Sequence, residues 1–340
     1  MRRILEKLLA GEHLTMSESK EFMEEIIRGN IPPHQVTAFM VALKVIGEST
    51  EEIIGLVQAM RSHMKVPFKV TGSLLDTCGT GGDGGGTINI STAAAFVAAA
   101  AGVPVAKHGN RAISSKSGSA DVLEAIGLPL DLTEDTLEEL LSKENLAFFY
   151  APIYHPGMKN AGQSRKELGV RTVFNILGPL CNPLEADHQV IGVYDSELTE
   201  PIANVLLGLG VKRALVVAGL DGLDEITTTT TTKITELREQ QITTSYISPQ
   251  DLGLFSADPS DLQGGTPEEN AQDILEIFQG KKGAKRDIIL ANAGAGLYVF
   301  GKAGTLVEGV KFAEEIVDSG KVYEKIINIR RLVREKETAI

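Results

Sequence analysis

A chain of 340 residues with 43% hydrophobic content can bury a large core, and that length predicts two domains. Its formal net charge of −12 disfavours nucleic acid or an anionic membrane as principal partner, and no window approaches the ~20 apolar residues that a bilayer-crossing helix needs. A polyanionic ligand would therefore require local cations or a metal ion.

The first 65 residues read as helical. Met1-Arg2-Arg3-Ile4 leads into an amphipathic helix rather than an apolar signal segment. Thr15-x-x-Glu18 forms a capping box ahead of Phe22, Ile26 and Ile27 at helical spacing. Gly29 stops that helix, and Pro32-Pro33 opens the next, through Val36, Phe39, Met40 and Leu43 to Gly47. Ser49-Thr50-Glu51-Glu52 caps a third, ending near Met64. These apolar stripes suit a core or a subunit interface and carry no chemistry.

From Thr71 the pattern becomes α/β. Leu74–Cys78 is a short strand, a glycine-rich loop follows, and Ser91-Thr92 caps an alanine-rich helix that reaches Ala101 and ends at Gly102. Val103–Ala106 is the next strand, which completes a βαβ unit with ligands expected at the carboxyl ends of its strands. Ser117–Asp121 opens a helix ending at Gly127. Further strands are expected at Leu146–Tyr150, Gln189–Tyr194, Ala214–Ala218 and Ile288–Ala291, with the β-branched run Thr227–Thr232 as another and helices alternating to the C-terminus. Residues 155–180 interrupt this rhythm with polar, helical patterning. The expected division is a helical domain over 1–70, to which the chain returns at about 163–184, and an α/β domain over 71–162 and 185–340. Cys78 and Cys181 form neither a disulfide scaffold nor a zinc spacing, so a reducing cytoplasm is the expected setting.

Two clusters carry the chemistry. Gly79-Thr80-Gly81-Gly82-Asp83-Gly84 can wrap backbone N–H groups around phosphates. It satisfies the G-x-G-x-x-G dinucleotide pattern, but that fingerprint needs an acidic residue about 20 positions on to bind a ribose diol. The next strand instead ends in Lys107-His108-Gly109-Asn110-Arg111, which suits phosphate. A Walker A loop is excluded because no Gly-Lys-Ser/Thr follows the glycines. Taken alone, a flexible surface loop is the remaining alternative.

Six motifs in order resemble the anthranilate phosphoribosyltransferase family across essentially the whole chain. They are Gly79–Asp83, Lys107–Arg111, Ser117–Asp121, Arg165-Lys166-Glu167-Leu168-Gly169, Asn175-Ile176-Leu177-Gly178-Pro179-Leu180 and Asp221-Gly222-Leu223-Asp224-Glu225. The resemblance implies a small all-helical N-terminal domain and a large α/β domain with a mostly parallel central sheet, as in class II nucleoside phosphorylases. It also implies transfer of phosphoribosyl from phosphoribosyl pyrophosphate to the amine of anthranilate, with two Mg²⁺ per site and a cytoplasmic homodimer joined through the helical domain.

By the same resemblance, Gly79, Gly82, Asp83, Thr87 and Asn89-Ile90-Ser91-Thr92 would surround the sugar and diphosphate. Lys107, His108, Gly109, Asn110, Arg111, Ala112, Ile113, Ser114 and Ser115, with Ser119, would complete that cradle. Gly79, His108, Asn110, His155, Arg165, Gly178 and Pro179 would meet anthranilate, and Ser91, Asp224 and Glu225 would hold Mg²⁺. Local alternatives stand beside these roles: an ordinary N-cap for Ser91, a solvated turn for Asp224-Glu225, and an exposed helix face for Arg165. His13, His34 and His63 read as helix-surface residues, and His188 has no motif support. The acidic pair is also similar to the type I phosphoribosyltransferase signature, but the glycine such a loop needs is missing from Thr227–Thr232. Val217-Ala218-Gly219 departs from the family in lacking a histidine before the glycine. A pyrimidine nucleoside phosphorylase, a nucleic-acid-binding relative without enzyme activity, and a transferase for another aromatic amine are the alternative functions.

Overall fold

The N-terminal helices begin where their capping chemistry is strongest. The computed structural model describes residues 1–82, 86–112 and 116–338. Helices α1 (Arg2–Leu9), α2 (Met16–Arg28), α3 (Pro33–Ile46) and α4 (Thr50–His63) open the chain. Thr15 and Ser49 each close a capping box, their hydroxyls accepting from Glu18 and Glu52 N–H while those carboxylates reach back to the cap residue. Phe22 and Phe39 stack with centroids 4.1 Å apart in the core between these helices. Glu52 is fully buried yet paired: it accepts from Leu14 N–H and Ser49 N–H, both at 2.7 Å, and meets His13 Nδ1 at 3.1 Å. His13 therefore lies in the connection before α2, not on a helix surface.

The α/β part follows as β1 (Leu75–Gly79), α5 (Ile90–Ala100), β2 (Val105–Gly109), α6 (Ser119–Ile126), α7 (Glu134–Glu144) and β3 (Leu146–Tyr150). Then come α8 (Ala151–Tyr154), α9 (Lys159–Leu168), β4 (His188–Gly192), α10 (Thr199–Gly208), β5 (Arg213–Gly219), β6 (Thr232–Arg238) and β7 (Gln241–Ile247). The seven strands form one sheet in the order β3-β2-β1-β4-β5-β6-β7. The first five are parallel, and β6 and β7 add an antiparallel hairpin that turns at Glu239-Gln240, both at positive φ. The chain leaves β1 in one direction toward β3 and returns to β4 on its other side. That reversal opens a crevice beyond the carboxyl ends of β1 and β4, the usual ligand position in a parallel sheet.

Four helices, α11 (Pro267–Phe278), α12 (Ala284–Val299), α13 (Leu306–Asp318) and α14 (Lys321–Glu337), complete the chain. Two expected strands are corrected here. Ile288–Ala291 lies inside α12, where helical residues on both sides extend a run too short and too apolar to show a period. Only Thr232 of the Thr227–Thr232 run is in a strand; the others form a loop in which the Thr227 and Thr229 hydroxyls bond Asp221 and each other. No strand follows β7 among the described residues, so helices do not alternate with strands to the C-terminus. Residues of 160–180 pack against the opening helices: Asn160 donates to Ile27 O at 2.8 Å, Ser164 donates to Pro33 O at 2.9 Å, and Ala161, Phe174 and Leu180 join their core. No helix of the described residues is long and apolar enough to cross a membrane.

Candidate active site

Gly79 and Gly192 are register partners at the carboxyl ends of β1 and β4. A Cβ on Gly192 would collide with the Asp224 carbonyl oxygen, and one on Gly79 with its carboxylate. The two glycines thus let the loop after β5 lie directly over the strand ends. Asp224 Oδ2 accepts from Gly81 N–H at 2.7 Å, and Glu225 Oε1 accepts from Ser91 N–H at 3.1 Å in the first turn of α5. The loop is braced behind. Asp221 accepts from Thr227 Oγ1 at 2.7 Å and from the Thr229 hydroxyl, while buried Asn292 on α12 both donates to Ile226 O and accepts from Ile226 N–H at 2.9 Å. Neither Asn292 nor Gly192 is among the expected site residues. The available signal for Asn292 was a single polar residue within an apolar stretch, a group that must find partners when buried.

A cavity of about 300 Å³ opens on this crevice. Its wall brings together Gly79, Gly82, Thr87, Asn89–Thr92, Lys107–Ala112, Ser119, Asp224 and Glu225. Asp83, Ile113, Ser114 and Ser115 lie outside the described residues. The N-cap of α5 is Asn89, which displaces the N-cap alternative for Ser91: its hydroxyl sits in the first turn and receives Lys107 Nζ at 3.4 Å. Lys107 also donates to Thr77 O. Burial pushes its ammonium below the usual range against the opposing pull of Asp76, and burial lifts the Asp76 carboxyl to about 6. Asn89 bridges the loop before α6 and helix α11, donating to Ser117 O at 3.1 Å and accepting from Asn270 Nδ2 at 2.9 Å. Ser119 Oγ accepts from Asn110 N–H at 3.1 Å. Arg111 is turned toward α6, where it pairs with Asp121 and Glu124.

A second cavity of about 520 Å³ adjoins the first and shares Cys78–Thr80, His108–Asn110 and Asn175 with it. It collects Arg165, His155, Gly178 and Pro179. Arg165 is half-buried, with its guanidinium carbon 5.8 Å from the Phe174 ring centroid, and it makes no ion pair among the described residues. Burial lowers its affinity for its proton, and the exposed-face alternative falls. A separate apolar void beside α14 holds about 30 Å³, room for little more than one water.

The His108 and His155 rings lie 5.2 Å apart. His108 Nδ1 is 3.2 Å from Gly178 O, and a carbonyl can only accept, so Nδ1 carries the hydrogen. Nε2 is then a buried lone pair with no protein partner among the described residues. Burial first, and His155 second, push His108 down to about 3 from its ordinary 6.5. Between those values the unfolded chain binds a proton that the native site refuses. This residue's contribution to stability is therefore complete above pH 6.5 and declines as pH falls toward 3. NMR titration of the His108 ring should show no inflection between pH 5 and 8; a midpoint near 6.5 would contradict the buried neutral ring.

Family models match both parts of the chain: "glycosyl transferase family, helical bundle domain" over residues 2–64 and "glycosyl transferase family, a/b domain" over residues 71–323. The anthranilate phosphoribosyltransferase of Brevibacillus brevis is 52% identical over 329 residues, covering 96% of this chain and 96% of its own. The crystal structure of the Thermus thermophilus anthranilate phosphoribosyltransferase superposes with a TM-score of 0.92 at 41% identity, covering 97% of this chain and 99% of that one. The Saccharomyces cerevisiae enzyme, solved in complex with phosphoribosyl pyrophosphate and Mg, gives 0.87 at 28% identity over 98% and 97% of the two chains. With a helical bundle, a mostly parallel sheet and a divided cavity at its switch point, the chain belongs to the anthranilate phosphoribosyltransferase family.

Proposed function

We infer that the chain transfers the phosphoribosyl group of phosphoribosyl pyrophosphate to the amine of anthranilate, giving N-(5-phosphoribosyl)anthranilate and pyrophosphate in tryptophan biosynthesis. The observation that carries this reading is the pair of adjoining cavities with opposite chemistry. One has the N-terminus of α5, buried Lys107 and the Asp224-Glu225 carboxylates; the other has a guanidinium with no ion pair among the described residues and a neutral imidazole. Of the described residues, Gly79, Gly82, Thr87, Asn89–Thr92, Lys107–Ala112 and Ser119 form the donor cradle, where backbone N–H groups and the helix N-terminus suit diphosphate.

Ser91, Asp224 and Glu225 offer hard oxygen donors, which fit Mg²⁺ held partly by substrate phosphates. No group of three His, Cys, Asp or Glu side chains gathers into a metal cluster among the described residues. When bound, Mg²⁺ neutralises charge on the departing pyrophosphate. Two ions per site is the proposed count.

Arg165 pairs with the anthranilate carboxylate, and Asn110 orients the amine on the wall common to both cavities. His108 lines the same wall and acts as an orienting group rather than a base. That amine is neutral near pH 7 because its lone pair conjugates with the ring, so a strong general base is not required. Holding the amine against the sugar carbon supplies most of the acceleration.

The domain division at 1–70 with 163–184, a cytoplasmic setting and a homodimer through the helical domain belong to the same proposal. The exposed apolar side chains Leu9 and Val45, 79% and 80% accessible on α1 and α3, support the dimer. Pyrophosphate release that needs anthranilate, phosphoribosyl pyrophosphate and Mg²⁺ together tests the reaction. Phosphorolysis of thymidine or uridine, or a single-stranded DNA complex that survives physiological salt, would redirect it.

A further inference from the structure

The segment between Arg165 and Asn175 carries a guanidinium that the proposed reaction has not used. Arg171 Cζ stands 4.4 Å from the centroid of the Tyr194 ring, within cation–π range. The same guanidinium also meets the phosphate loop: a Cβ built on Gly82 would lie 3.0 Å from Arg171 Nε. Gly82 has φ 79°, in the left-handed region, so this corner of the phosphate loop favours glycine on two counts: backbone conformation and the approach of Arg171.

Tyr194 is bound to the same loop through its backbone. Its N–H donates to Thr80 Oγ1 at 3.2 Å, and Thr80 N–H donates to Gly192 O at 2.9 Å. Arg171 makes no ion pair with a carboxylate among the described residues, unlike Arg111. What it touches is an aromatic ring and a glycine corner of the loop. The flanking chain leads to Arg165 and Asn175, both in the wall of the larger cavity.

We propose that Arg171 is a positioning residue for the phosphoribosyl donor: packed against Tyr194 and Gly82, it fixes the phosphate loop against the segment that carries Arg165. The proposal rests on reading the Gly79–Gly82 loop as the donor cradle. It explains why this segment bears on the donor loop while its neighbours face the acceptor. The planar guanidinium is the working part, since it stacks on a ring while lying flat against backbone.

The test is steady-state kinetics with each substrate varied in turn, alongside thermal melting. Arg171 is exposed, so its replacement leaves the core intact. Arg171→Ala raises KM for phosphoribosyl pyrophosphate about tenfold, with KM for anthranilate within about twofold and the melting temperature unchanged. Arg171→Lys keeps the charge, loses the plane and resembles Arg171→Ala. Tyr194→Leu gives the same donor defect, Tyr194→Phe does not, and Arg171→Ala with Tyr194→Leu is no worse than either alone.

An unchanged donor KM, a rise confined to anthranilate, full recovery with Lys, a donor defect in Tyr194→Phe, or multiplying effects in the double variant would each overturn the proposal. Failure of the unaltered chain to form product would instead overturn the reaction itself, a result distinguishable from all of these.

Discussion

Gly192→Ala lowers kcat/KM for phosphoribosyl pyrophosphate by about 10²-fold or more, although the substitution adds one methyl group. The new Cβ has no free space, because the Asp224 carbonyl oxygen already occupies it. Neither side can yield cheaply. Gly192 is the last residue of β4, with β1 and β5 as neighbours, and Asp224 belongs to a loop held by Asn292 and Asp221. Overpacking of this kind costs about 1–3 kcal/mol, and the less rigid partner moves. That partner is the Asp224-Glu225 loop, so the defect appears in donor use and Mg²⁺ requirement. Circular dichroism should remain that of the unaltered protein, and kinetics with Mg²⁺ varied should show a raised metal requirement. Gly192→Ala with ordinary kinetics would mean that the loop's position over the strand ends is unimportant.

Arg165→Ala produces the complementary defect, with kcat/KM for anthranilate falling about 10–150-fold. That range corresponds to the ~1.5–3 kcal/mol of a hydrogen-bonded charged pair. The guanidinium is half-buried without a carboxylate partner of its own among the described residues, so its interaction is reserved for a ligand. Donor KM should change little. Asp224→Asn combined with Glu225→Gln reverses the pattern: Mg²⁺-dependent donor use collapses while anthranilate binding persists. Steady-state kinetics on both variants decide the matter, because exchanged phenotypes would exchange the two half-sites.

The parts of the fold that were legible in the sequence are those set by neighbours in the chain. Thr15-Glu18 and Ser49-Glu52 form their capping boxes because cap and partner are three residues apart. Strands β3 and β5 fall where apolar runs are bounded by turn residues. Ile288–Ala291 was misread because four apolar residues show no period, and burial of α12 on nearly every side removes the polar stripe that marks a surface helix. Thr227–Thr231 departs from the expected strand because β-branched residues favour strands in general, whereas here the Thr227 and Thr229 hydroxyls satisfy Asp221.

The same division runs through the candidate site. Lys107, His108 and the glycine loop stand at strand ends and were visible as polar clusters beside apolar runs. The loop brace formed by Asn292, the clearance left by Gly192 and the contact between Arg171 and Gly82 are long-range. Each joins residues more than 30 positions apart, and no local pattern encodes such a meeting. Ser91 shows how an offset of two residues changes a reading. Asn89 takes the cap position, and the Ser91 hydroxyl is left for Lys107 inside the cavity.

The most direct measurement follows anthranilate fluorescence after mixing the protein with phosphoribosyl pyrophosphate and Mg²⁺. The chain contains no Trp, so protein emission interferes little. A catalytic loss of the anthranilate signal, absent without the donor and suppressed by chelation of Mg²⁺, is the result expected of a site that joins the two cavities in one reaction. A signal that stays constant at high protein concentration with both substrates present would contradict it.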